Sequence, residues 1–114
     1  MIAENTQTQM RKGILEYCIL SIIARDETYA SDIIAELKNA QLLVVEGTLY
    51  PLLTRLKNNG LLTYNWVEST SGPPRKYYAL SAEGKKMLEQ LDKTWQELAF
   101  AVQTATGKRN NPNR

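Results

Sequence analysis

Glu46-Gly-Thr-Leu-Tyr-Pro-Leu-Leu-Thr-Arg-Leu-Lys-Asn-Asn-Gly60 is the stretch on which the reading of the whole chain turns. Placed at 100° per residue, Leu49, Leu52, Leu53 and Leu56 share one sector, while Gly47, Tyr50, Pro51, Thr54 and Asn58 lie opposite. One side can therefore bind a core while the other offers hydrogen-bonding groups and almost no acid. Arg55 and Lys57 flank that outer face. Gly60 suits a C-terminal cap, and Pro51 is expected in the first turn, where a missing N–H is no loss. A helix that reads base edges in a major groove needs this arrangement. An ordinary solvated helix surface shares it, and the helix alone does not choose between them.

The next residues do. Leu61–Glu68 and Arg75–Leu80 are rich in aromatic and β-branched side chains and are separated by Ser69-Thr-Ser-Gly-Pro-Pro74. They predict a β-hairpin with a six-residue tip. Glycine and proline stiffen that tip, Arg75 and Lys76 at its base can meet phosphates, and Tyr77 and Tyr78 alternate between core and outer face.

Upstream, residues 1–9 are polar and expected to be a flexible segment. From Met10 to about Ala24 the apolar positions cover more than one helical face, so this helix must be covered on two sides. Asp26-Glu-Thr28 breaks the pattern. Tyr29–Lys38 resumes it with Ile33, Ile34 and Leu37 on one side, and Leu42-Leu-Val-Val45 reads as a brief strand. Downstream, Ser81 is a good N-cap for a last helix reaching about Thr106, before a frayed tail at 107–114. The expected fold is mainly α with a small β-hairpin. It is a winged helix-turn-helix over residues 10–81, with a long C-terminal dimerisation helix at 82–106.

In that last helix Leu88, Leu91, Trp95, Leu98 and Val102 recur at alternating spacings of three and four, a heptad seam. A helix of some 26 residues is about 39 Å long and projects beyond so small a domain. Its stripe is expected to pack on a second protomer, including that protomer's over-hydrophobic first helix around Ile14 and Cys18. Trp95 needs no ligand to explain it, since it can simply fill the seam.

The segments Glu46–Leu61, Gly72-Pro-Pro-Arg-Lys-Tyr-Tyr-Ala-Leu-Ser81 and Tyr29-Ala-Ser-Asp-Ile33 together resemble the PadR-type transcriptional regulators. The resemblance implies a dimeric repressor that binds an inverted repeat in double-stranded DNA. By position it places Thr48, Tyr50, Pro51 and Thr54 on the recognition helix. Tyr29 and Ser31 would open the supporting helix near the backbone, and Pro73, Arg75, Lys76 and Tyr77 would form the wing. Lys57-Asn-Asn59 departs from relatives that carry acids there, which makes this helix end more basic. Short members with one C-terminal helix include drug-responsive proteins, so the resemblance also implies Trp95 as a site for a small aromatic effector.

Composition narrows the alternatives. The 114 residues carry a formal net charge of +2, so a nucleic-acid surface must concentrate its cations on one face. There is no histidine, which removes Ser/His/Asp and Cys/His nucleophile systems and imidazole metal sites. The single cysteine, Cys18, reads as core and cannot form an intrachain disulfide. No paired carboxylates, phosphate-binding glycine loop or metal-ligand set is evident, so neither an enzyme nor a cofactor is expected. Arg11-Lys12 with Ile14–Ala24 imitates a signal peptide, but Glu16 interrupts the run and it is too short to span a bilayer. The expectation is a cytoplasmic, non-membrane regulator. Its rival is a winged-helix module that docks peptides and never meets DNA.

Overall fold

Ile19, Leu20 and Ile23 on one helix, Ile33 and Leu37 on a second, and Leu49, Leu53 and Leu56 on a third close around one core. Leu62 and Tyr78 of the hairpin complete it. The computed structural model describes residues 2–42 and 44–107. In chain order they form α1 (Ile2–Arg25), β1 (Thr28–Tyr29), α2 (Ala30–Asn39), α3 (Glu46–Asn58), β2 (Leu62–Ser69), β3 (Gly72–Leu80) and α4 (Ala82–Thr106). The three strands make an antiparallel sheet of order β1-β3-β2. This is the winged-helix fold, mainly α with a small sheet.

Four expectations change. α1 begins at Ile2 rather than Met10, because the polar residues before Met10 carry no helix breaker and propagate the helix outward. Its second apolar side is covered in part by its own chain, since α1 packs on α2 and β3 and also on α4 while Ile14, Cys18 and Ile22 stay half-buried. The brief strand is Thr28–Tyr29, paired with Tyr78 and Tyr77 of β3. Leu42, Val44 and Val45 lie in no strand, and Leu43 is outside the described residues. Pro51 is the sixth residue of α3, inside the helix; it forgoes only the bond to the carbonyl of Gly47, which lies exposed in the first turn.

The hairpin is also tighter than its six-residue tip suggested, with only Thr70 and Ser71 between strands. Val67 pairs with Arg75 and Ser69 with Gly72, so Glu68 faces both Pro73 and Pro74. The bulge falls where two consecutive residues have no N–H to donate. β1 reaches only Tyr77 and Tyr78, so at the prolines the other edge of β3 is open, as proline requires.

Two joints fix the angle of α3. At its end Gly60 takes φ +79°, its N–H donates to the Lys57 carbonyl at 3.0 Å, and that of Leu61 donates to Leu56 at 3.0 Å. This pair of hydrogen bonds closes the helix with a left-handed residue. Ser81 then joins the corner to α4. Its hydroxyl donates to the Gly60 carbonyl at 2.6 Å, its N–H donates to Leu61 at 3.1 Å, and its Oγ accepts from Gly84 N–H at 3.0 Å. Gly84 must be glycine here, because a Cβ would stand 2.1 Å from the Leu61 carbonyl oxygen. Gly107 ends α4, and the expected tail from 108 to 114 lies outside the described residues.

Candidate nucleic-acid interface

Directly paired residues of the hairpin share a sheet face, which sorts the wing into two sides. One carries Leu62 with Leu80, Tyr64 with Tyr78, and Trp66 with Lys76. Along it the surface passes from core to solvent, from Leu62 and Tyr78, which are buried, to Trp66 at 62% exposure. The other carries Asn65 with Tyr77 and Val67 with Arg75, and Tyr77 also pairs with Tyr29 of β1. Arg75 and Lys76 therefore start from opposite faces of the strand.

A groove of about 490 Å³ lies between the start of α2, the outer face of α3 and the wing. Six residues singled out in the sequence line it: Tyr29, Ser31, Tyr50, Thr54, Arg75 and Lys76. No carboxylate is among its lining residues. Each cation is held by an aromatic ring rather than an acid. The Arg75 guanidinium sits 5.4 Å from the Tyr29 ring centre, and the Lys76 ammonium 4.5 Å from that of Tyr64. Tyr29 in turn packs on Tyr77, centre to centre at 4.5 Å. Burial, with the nearby hydroxyls of Tyr50 and Tyr64, raises the Tyr78 phenol above its ordinary pKa. Burial and then Asp26 raise that of Tyr77. Both phenols remain neutral donors.

The other sequence candidates sit elsewhere. Thr48 and Pro51 are exposed on α3, and Pro73 is exposed on β3. Lys57 reaches over the Tyr64 ring at 5.7 Å. Arg55 does not line the groove; it pairs with Glu16 of α1. On α3 Arg55 stands 200° from Lys57, which turns the two cations to opposite flanks of the helix. Ala30, Trp66, Pro74 and Tyr78 also line the groove and are not among the DNA-contact residues the sequence points to. The two-residue period from Leu62 through Tyr64 to Trp66 is the signal that could have found Trp66.

α4 divides into two halves. Met87, Leu88 and Leu91 pack against the domain's own core, so Leu88 and Leu91 cover their own chain before any partner. The heptad could not reveal this, since a seam reads the same whether its cover is local or foreign. Cys18 likewise packs on the core, which raises its thiol pKa, and Ile14 is half-buried. Beyond Leu91 the stripe leaves the domain: Trp95, Leu98 and Val102 are exposed, as is Phe100 on another face. Tyr17 ties α1 to α4 at the dividing point. Its hydroxyl donates to Asp92 Oδ1 at 2.6 Å, and this bond, more than burial, pushes the phenol up to about 12. The Tyr17 ring lies 6.5 Å from that of Trp95.

Among the described residues no helix is long and apolar enough to cross a membrane. Known proteins share this architecture. The sequence pattern of the transcriptional regulator PadR-like family matches residues 19–90. A PadR-like transcription factor from Bacteroides fragilis is 58% identical, with a TM-score of 0.76 over 89% of this chain and 98% of that one. A PadR family transcriptional regulator from Eggerthella lenta is 30% identical, with a TM-score of 0.83 over 94% of each chain. Bacillus subtilis PadR, solved in complex with operator DNA, is 26% identical, with a TM-score of 0.64 over 68% of this chain and 46% of that one.

Proposed function

The chain belongs to the transcriptional regulator PadR-like family, and we propose that it is a cytoplasmic homodimeric repressor that binds an inverted repeat in double-stranded DNA. The observation that carries this reading is the groove beside α3, lined by hydroxyls, Arg75 and Lys76 without one carboxylate. A surface of that kind matches a phosphate backbone, whereas a peptide-docking module has no need to exclude acids. Each α3 lies in a major groove, with Tyr50 and Thr54 turned to base edges and Thr48 and Pro51 beside them. Tyr29, Ser31 and Arg75 hold the flanking backbone, and Pro73 and Tyr77 shape the wing that presents Arg75. Arg55 serves the domain itself by anchoring α3 to Glu16.

The exposed stripe of Trp95, Leu98 and Val102 is the surface we assign to the second protomer. Two copies related by a two-fold axis set their recognition helices about 34–36 Å apart, one turn of duplex. Trp95 is the position at which a flat aromatic compound would loosen that pairing and release DNA. The experiment is selection of bound fragments from the source genome by the purified protein. Recovery of one inverted repeat with half-sites about 10 base pairs apart is expected. Recovery of fragments with no shared sequence would overturn the reading.

A further inference from the structure

Trp66 stands out in the groove because it is an indole 62% exposed on a strand. Its ring meets that of Tyr64 edge-on, 6.1 Å between centres at 89°. The Lys76 ammonium lies 5.4 Å from the Trp66 ring centre and 4.5 Å from that of Tyr64. Lys57, arriving from α3, lies 5.7 Å from the same Tyr64 ring. Neither lysine is ion-paired to a carboxylate among the described residues. Two ammoniums from different elements thus gather at one ring with no acid paired to either.

Aromatic faces attract cations through their quadrupole and restrict them, but they do not neutralise them. What complements this cluster is an anion next to a flat apolar surface. The backbone of a DNA duplex supplies both, since phosphates alternate along it with deoxyribose rings whose C–H faces can pack on an indole. Resting on the DNA-binding reading above, we infer that Trp66 is a DNA-contact residue. Its ring lies against a deoxyribose at the border of the α3 groove, and Tyr64 is a positioning residue that holds Lys57 and Lys76 for the flanking phosphates. The contact is blind to sequence, because every nucleotide has the same sugar.

The chain has two tryptophans, so comparison with Trp66→Phe isolates the emission of Trp66 from that of Trp95. The probe is a 30-base-pair duplex of random sequence at low salt, with binding followed independently by anisotropy of a label on the DNA. The expected result is a change in wild-type emission at the same midpoint as the anisotropy, reversed by salt and absent from Trp66→Phe. Trp66→Leu should weaken binding about five- to tenfold, by the same factor on random duplex and on a fragment selected from the genome. Tyr64→Phe, which keeps the ring, should retain wild-type affinity, and Lys76→Gln should cost less in a Tyr64→Leu background than in wild type. Normal anisotropy with unchanged Trp66 emission, or wild-type affinity in Trp66→Leu, would overturn the proposal and leave the DNA-binding reading intact. Failure of the wild-type protein to bind any duplex would instead remove the reading itself.

Discussion

At the scale of single residues, side chains that look alike in sequence take different positions in the fold. Thr54 faces the groove from α3, Arg75 lies on the wing, and Arg55 is turned back to Glu16. Thr54→Ala should therefore lower the preference for operator over random DNA by ~1 to 3 kcal/mol, whereas Arg75→Ala should weaken both equally and reduce the salt slope. Arg55→Ala should leave the salt slope alone and cost the domain up to about 1 kcal/mol, since its partner Glu16 is partly covered. Gel-shift titrations at several salt concentrations and thermal unfolding of the three variants measure these differences. Tyr17 supplies a pH test. Its phenol titrates at about 12 in the folded chain against an ordinary 10.0, so the neutral form is favoured by folding. That contribution is complete below pH 10 and is lost as pH rises from 10 to about 12. Tyr17→Phe should accordingly be less stable than wild type at pH 8, with the gap closing towards pH 12 in alkaline unfolding curves. The outer face of α3 was legible in the sequence because Leu49, Leu53 and Leu56 fix the opposite side. Arg55 was not, because its partner lies 39 residues earlier on another helix and no local pattern announces it.

At the scale of elements, the joint between α3, the hairpin and α4 is what sets the direction of α3. Ser81 makes three of its hydrogen bonds, and Gly84 lets the α4 backbone approach the Leu61 carbonyl. Ser81→Ala should cost about 0.5 to 2 kcal/mol, the ordinary range for a lost N-cap. Gly84→Ala should cost about 1 to 3 kcal/mol, because backbone must move to admit the methyl. Denaturant unfolding of both variants checks the values; a Gly84→Ala protein as stable as wild type would contradict the close approach. Gly60 announced the end of α3 because glycine is the usual left-handed cap. The end of α2 uses the same pair of bonds with Gln41 at φ +67°, and glutamine gives no such signal. The tight turn was hidden for a related reason. Gly72-Pro73-Pro74 looks like loop chemistry, yet the open edge of β3 and a bulge at Pro73-Pro74, opposite Glu68, let it continue a strand.

At the scale of the whole molecule, the Cα radius of gyration is 16.5 Å, whereas a compact chain of this length has about 13 Å. Part of the excess is α4, whose second half carries Trp95, Leu98 and Val102 away from the core into solvent. That stripe is the surface proposed for the second protomer, and Leu98→Glu places a carboxylate on it. The variant should sediment as a monomer with its fold intact by circular dichroism, and should bind the inverted repeat at least tenfold more weakly, because one half-site must then act alone. A dimer of wild-type affinity would remove Leu98 from the interface. The heptad in the sequence located this stripe, but only the packing of Leu88 and Leu91 on their own core shows where it becomes free. If the acid-free groove meets the phosphates of a duplex, binding to the best genomic fragment must depend on salt. With about four phosphates neutralised by each of two protomers, log K against log salt should fall with a slope of roughly −7. A slope near zero would mean that the groove does not bind DNA through its charge, which would contradict the proposed function.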